Sequence, residues 1–214
     1  MLWVLALPVG YFLGSIPTSI IVGRLFFGKD IRKHGSGNAG ASNAFRVFGA
    51  AAGLGVVAGD IGKGAAAVLA GGLFPAPDYL SQAVLAFAAG AAAIVGHIWT
   101  VFAGFKGGKG VATAGGVLLA LYPVTFAGAF TVFIVTVVLS GYTSLGSILA
   151  ALSFPVIMLV VVARDVHEIP VFLQYLSVPL ALLILFTHRS NMRRLLRGEE
   201  NRFDRIRVFR RRGR

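Results

Sequence analysis

Apolar residues follow one another in stretches too long for the alternating faces of a soluble fold. Seven such stretches stand out, at about 2–23, 48–74, 80–100, 110–121, 124–140, 145–163 and 168–187. A membrane-crossing helix needs roughly 20 apolar residues, fewer where it is tilted or broken. The fourth stretch is short, and Pro123 separates it from the fifth, so one kinked helix over both is the alternative. The pattern predicts an all-α integral membrane protein with seven transmembrane helices. Residues 1–214 form a single membrane domain in this reading, with a basic tail from 188 to 214. There is no convincing internal repeat, which weighs against a transporter built from repeats.

Composition agrees with the pattern. Of the 214 residues 57% are apolar and only 13% charged, and mean hydropathy is +0.81. A soluble domain carries about 25% charged residues. The absence of cysteine excludes disulfides, thiol catalysis and thiolate metal sites. No metal or cofactor is expected.

Charge decides the orientation. The connections 24–47, 101–109 and 141–144, together with the tail, hold Arg24, Lys29, Arg32, Lys33, Arg46, Lys106, Lys109 and 11 tail arginines. The opposite set holds Arg164 alone, against Asp78, Asp165 and Glu168. The positive-inside rule then places the N-terminus outside and the C-terminus in the cytoplasm. Merging the fourth and fifth spans would put "SGYTSLG" and the tail on the wrong sides. The first span lacks a basic leader and a small-x-small cleavage site, so it reads as part of the mature chain. The arginine-rich tail reads as a neighbour of anionic membrane lipid in preference to nucleic acid.

Three polar clusters lie on the predicted cytoplasmic face. The first is "HGSGNAGASNAFR", His34 to Arg46, with Gly37, Asn38, Gly40, Ser42 and Asn43 around Ser36. Glycines admit a ligand to the backbone, and successive N–H groups form anion-binding nests. A helix starting near Gly40 would add a favourable partial charge. The competing reading is a polar loop with a helix cap. The second cluster is "HIWTVFAGFKGGKG", from His97 through Gly107, Gly108 and Lys109 to Gly110. It is not a Walker A loop, because Ala103 and Gly110 stand where glycine and Ser/Thr are required. Nucleotide hydrolysis is therefore disfavoured, and phosphate binding by amides and lysine remains. The third is "HRSNMRRLLRGEE", His188 to Glu200; on a continued helix His188 and Asn191 share a face, with Arg194 three beyond. Ser144 lies in "GYTSLGS" on the same side. Within the second span, Asp60 and Lys63 stand three apart and are expected to pair, since charges inside a membrane are costly.

In this order the clusters resemble the bacterial acyl-phosphate:glycerol-3-phosphate acyltransferases, the PlsY family. The resemblance rests on "GSIPTS" (14–19), "GSGNAGASNAFR" (35–46), "DIGKG" (60–64), "GHIWTVFAGFKGGKGVAT" (96–113), "YTSLGS" (142–147) and "HRSNMRRLLRGEE" (188–200). It implies a seven-helix bacterial inner-membrane enzyme whose active site faces the cytoplasm. The implied reaction moves an acyl group from acyl phosphate to glycerol 3-phosphate, giving lysophosphatidic acid and phosphate, the first acylation of phospholipid synthesis. A functional link to the enzyme making acyl phosphate follows. Ser36, Arg46, Lys109, His188 and Asn191 are the implied catalytic set. The phosphate- and substrate-binding set is Gly37, Asn38, Gly40, Ser42, Asn43, His97, Gly107, Gly108, Gly110, Thr113, Ser144, Arg194 and Glu200. His188 is the general base by side-chain chemistry, whereas the family points to the donor's own phosphate. Two departures stand out: Ser42 replaces the usual threonine, and Gly141 stands where an arginine usually precedes "YxSL". The His-x4-Asp signature of other acyltransferases is absent. The alternative class is a transporter for an organic phosphate. A scaffold with a lipid- or nucleic-acid-binding tail would leave the glycine motifs unexplained.

Overall fold

The structure, a computed structural model, describes residues 2–166 and 168–203; the tail from 204 on lies outside the described residues. All regular structure among the described residues is helical. The chain falls into two compact units, divided between Leu121 and Tyr122.

The first unit holds α1 (Ala6–Ser15), α2 (Thr18–Phe27), α3 (Ala41–Phe48), α4 (Ala50–Gly72), α5 (Gln82–Ile98) and α6 (Val111–Leu121). The stretch expected as one span over 2–23 is one candidate span, Leu2–Phe27, whose helix is interrupted because Pro17 has no N–H to continue the ladder and crowds the preceding turn. The break releases carbonyls that are then taken up by side chains. Lys63 Nζ donates to Ile16 O at 2.8 Å, and Thr100 Oγ1 donates to Ser15 O. Helix α1 lies against α5 and α4 lies against α6 with almost no space between backbones. A methyl group on Gly14 would strike Ala93, and one on Gly64 would strike the carbonyl of Thr113. Small residues permit this approach, which drives helix association in lipid, where burial gives little advantage. Beside α2 and α4, Ile20, Ile31, Ala39, Ala44 and Val56 form a buried apolar cluster that anchors the loop between α2 and α3.

The second unit holds α7 (Pro123–Ser140), α8 (Thr143–Ala163), α9 (Val171–Thr187) and α10 (Arg189–Arg197). Pro123 occupies the first turn of α7, where its missing N–H has no partner to lose. Helix α6 therefore stops at Leu121, and no single helix runs over 110–140. Gly141 closes α7 at φ 80°, a left-handed conformation that suits glycine, and α8 returns alongside α7. Helix α9 ends at Thr187, as the seventh stretch does, and α10 continues from it at a bend of 57°.

Five helical stretches are long and apolar enough to cross a membrane, or six with α9 and α10 taken as one bent span. Helix α6, with 11 residues, is shorter than such a span. The chain is thus a multi-pass, all-helical membrane protein.

Candidate active site

The first loop is built around two side chains. Asp30 accepts the N–H of Arg32 at 3.0 Å, opening the short 3-10 turn Ile31–Lys33. Its carboxylate also grips the Arg32 guanidinium twice, at 3.0 Å from Nε and 2.7 Å from Nη2. That bond, first of all, holds the Asp30 carboxyl well below the usual carboxylate range, against the opposing effect of burial. The remaining arm of Arg32, Nη1, donates to Ala103 O at 3.0 Å, so the first polar loop is fastened to the second. Asn43 organises the interior of the loop. Its Oδ1 accepts from Ser36 N at 2.9 Å, while Nδ2 faces the carbonyls of Ile31, His34 and Asn38 at 3.0–3.3 Å. Asn43 is buried and committed to the loop itself, which gives it a holding part where the sequence suggested phosphate contact. Gly35 and Gly37 take positive φ at the turns on either side of Ser36. Ser36, Ser42 and Arg46 are exposed, and Asn38 is half-buried. Helix α3 starts at Ala41, with Gly40 as its extended N-cap. A helix N-terminus therefore does open beside Asn38 and Ser42.

The second loop folds back over the C-terminal end of α5. Gly107 N donates to Ile98 O, and Gly108 N donates to His97 O, both at 3.1 Å. These bonds satisfy carbonyls that a helix end leaves open. They also remove two amides from the anion nest that the sequence suggested. Lys109 beside them is half-buried, followed by Gly110 at φ 84° and the N-terminus of α6 at Val111. Lys106 is exposed. Thr113 is fully buried in the α4–α6 contact, and its hydroxyl has no hydrogen-bond partner among the described residues.

Beneath this loop lies a polar centre. Asp60 and Lys63 pair as expected, at 2.8 Å. The same Asp60 oxygen accepts from Thr18 Oγ1 at 2.9 Å and lies 3.5 Å from His97 Nδ1. Thr18, Ala39, Lys63, His97, Thr100 and Gly108 line a small pocket in the first unit. His97 is therefore placed next to the glycine loop, as its candidacy required. Thr18 and Thr100 were missed in the sequence; the signal available was the cluster of hydroxyls around Pro17 and after Trp99.

In the second unit the polar residues gather on Glu200. Its Oε1 accepts from Ser144 Oγ at 3.0 Å and Asn191 Nδ2 at 2.8 Å, and Oε2 accepts from Arg194 Nε at 2.7 Å. Burial alone would raise the Glu200 carboxyl, but the bonds from Asn191, Arg194 and Ser144 outweigh it and hold it below the ordinary glutamate range. His188 is buried at the α9–α10 bend, and its Nδ1 donates to Ile184 O at 2.8 Å. The tail supplies an arginine beside Gly141. Arg202 donates to Ser140 O at 3.2 Å and lies over the Tyr142 ring, and Phe203 N donates to Gly141 O at 2.8 Å. No group of His, Asp and Glu suited to a metal ion occurs among the described residues.

A family model described as glycerol-3-phosphate acyltransferase matches residues 4–198. A glycerol-3-phosphate acyltransferase of Chlorobaculum tepidum is 45% identical over 219 residues, covering 91% of this chain and 93% of its own. One from Chlorobium phaeobacteroides is 44% identical over 227 residues, covering 93% and 95%. Among solved structures, an integral membrane glycerol 3-phosphate acyltransferase, PlsY (YgiH), is similar in its glycerol 3-phosphate form at TM-score 0.83 and 34% identity, over 95% of this chain and 96% of that one. Its lysophosphatidic acid form gives 0.81 and 32%, with the same coverage.

Proposed function

The chain belongs to the glycerol-3-phosphate acyltransferase family, and on that footing we propose that it transfers an acyl group from acyl phosphate to a hydroxyl of glycerol 3-phosphate. The products are lysophosphatidic acid and inorganic phosphate. One observation carries the reading beyond family membership. The loop bearing Ser36, which leads into α3 and Arg46, and the loop bearing Lys109 are fastened together inside one unit by Arg32 on Ala103 O. Two cation-bearing, glycine-rich loops held side by side suit a reaction whose donor and acceptor both carry phosphate. Arginine grips phosphate through two parallel bonds and lysine acts as a point charge.

The chemistry asks little covalent work of the protein. The glycerol hydroxyl oxygen attacks the acyl carbonyl, the bond from that carbon to the phosphate oxygen breaks, and the hydroxyl proton passes to the departing phosphate. Alignment of two bound reactants can lower the barrier by about 7–11 kcal/mol. A preorganised charge-stabilising group adds about 3–4 kcal/mol. Lys109 takes that part on the leaving phosphate. Seven spans, an outer N-terminus, a cytoplasmic C-terminus, an inner-membrane location and an active site toward the cytoplasm complete the proposal. Basic residues crowd the connections assigned to that side. The acyl donor comes from a partner enzyme that makes acyl phosphate, and nucleic acid has no part. Phosphate release and lysophosphatidic acid formation by purified protein from acyl phosphate and glycerol 3-phosphate test it. Absence of both products from folded protein would reject it.

A further inference from the structure

Lys63 alone would neutralise Asp60. The two stand three residues apart on α4 with their charged atoms at 2.8 Å, and neither side chain is more than 5% exposed. That pair satisfies the electrostatic demand of a charge inside a membrane. Yet the same carboxylate oxygen is also turned toward His97 Nδ1, at 3.5 Å.

His97 has an unusual position. It lies in the last turn of α5, and its backbone carbonyl accepts the N–H of Gly108. Its ring edge at Nε2 fills the space where a side chain at residue 108 would stand, so only glycine fits there. Both the backbone and the ring of His97 thus bear on the residue preceding Lys109. An imidazole whose Nδ1–H faces a carboxylate is fixed in tautomer and in ring orientation, leaving Nε2 as the edge presented outward.

We propose that Asp60 is a positioning residue for acyl transfer. Through Nδ1 of His97 it fixes the Nε2 edge beneath Gly108, and with it the stance of the loop that presents Lys109. The inference rests on the acyl-phosphate reading and adds to it a part for a side chain buried in the second span. The effect on the reaction is one of alignment. A misplacement of about 1 Å in a group that acts on the transition state is enough to cost roughly a hundredfold in rate.

Four variants test it: Asp60→Asn, Asp60→Asn with Lys63→Met, His97→Asn, and Asp60→Asn with His97→Asn. The assay is phosphate release from acyl phosphate with glycerol 3-phosphate, after thermal unfolding has established that each protein is folded. Wild-type turnover is measured first, and its failure would reject the functional reading and this inference with it. Given wild-type activity, Asp60→Asn should lose about tenfold or more in kcat, with KM for glycerol 3-phosphate changed by about twofold or less. The charge-free Asp60→Asn, Lys63→Met protein should stay equally slow. His97→Asn keeps a donor toward Asp60 and removes the Nε2 edge; it should be as slow, and adding Asp60→Asn to it should cost nothing further. Recovery of wild-type kcat in the charge-free variant would show that Asp60 only neutralises Lys63, and would overturn the proposal. Independent, multiplying losses at Asp60 and His97 would overturn it too. If Asp60→Asn alone does not fold, the charge-free variant and His97→Asn still decide, because wild-type kcat in either contradicts the inference.

Discussion

Asp60 in the first unit and Glu200 in the second each gather donors, and the two arrangements differ in kind. Asp60 sits in the middle of α4, and its partners Thr18, Lys63 and His97 come from α2, α4 and α5. Glu200 sits past the end of α10, beyond a left-handed turn at Gly198, and its partners Ser144, Asn191 and Arg194 come from α8 and α10. The first carboxylate joins helices within the apolar body, where its partner Lys63 is 5% exposed. The second ties the start of the tail to helix ends, with its partner Arg194 35% exposed. The same chemistry therefore performs an irreplaceable task in one place and an adjustable one in the other.

The comparison breaks most readily at Asp60. Asp60→Ala leaves Lys63 buried without its counter-charge, a change that costs about 3–5 kcal/mol. Thermal unfolding in detergent should show the largest loss of stability of any single substitution considered, and a wild-type midpoint would deny the buried carboxylate its structural task. Next comes Lys109→Ala, which should lower turnover roughly a hundredfold, the size expected for one preorganised group on developing charge. Lys106→Ala should cost less and in a salt-dependent way, since exposed charges are screened over ~10 Å at 0.1 M salt. Saturating kinetics on both decide this, and an unchanged kcat in Lys109→Ala would remove it from the catalytic set.

Glu200→Gln should cost less than Asp60→Ala, about 1–3 kcal/mol, because Asn191, Arg194 and Ser144 lose a charged acceptor but keep a neutral one of the same shape. Its pH dependence has a definite sign. The folded-state value lies below the ordinary glutamate value of about 4.3, so the contribution is present above that value. It is lost as pH falls through the lower folded value. The difference in unfolding midpoint between wild type and Glu200→Gln should be constant at neutral pH and close only in acid. A gap that closes near neutrality would contradict the clamp. The smallest effect is expected for Ser144→Ala, about 1 kcal/mol in unfolding free energy, because Asn191 and Arg194 remain on Glu200.

Much of this was legible in the chain. Long apolar runs placed the helices to within a few residues, because a membrane requires that length and composition. The Asp60–Lys63 pair could be read from its spacing on one helix. Other features could not, because they depend on contacts distant in sequence. The break at Pro17 was hidden inside an apolar run, and the donors to its freed carbonyls lie 47 and 85 residues away. His97 as a partner of Asp60 follows only from the packing of α5 beside α4. Glycine spacing suggested a nest of free amides at Gly107 and Gly108, and the return of the loop onto α5 directs both inward. In the tail, Glu200 was implied as a substrate-binding residue, and its clamp on Ser144, Asn191 and Arg194 emerges only once Gly198 turns it back toward α8 and α10.

The central claim concerns the acyl donor, and a donor comparison tests it most directly. Folded, detergent-purified protein is given glycerol 3-phosphate with either acyl phosphate or the matching acyl thioester. The account predicts lysophosphatidic acid from acyl phosphate alone, with one inorganic phosphate released for each molecule formed. Lysophosphatidic acid from the thioester, or phosphate release without it, would contradict the account.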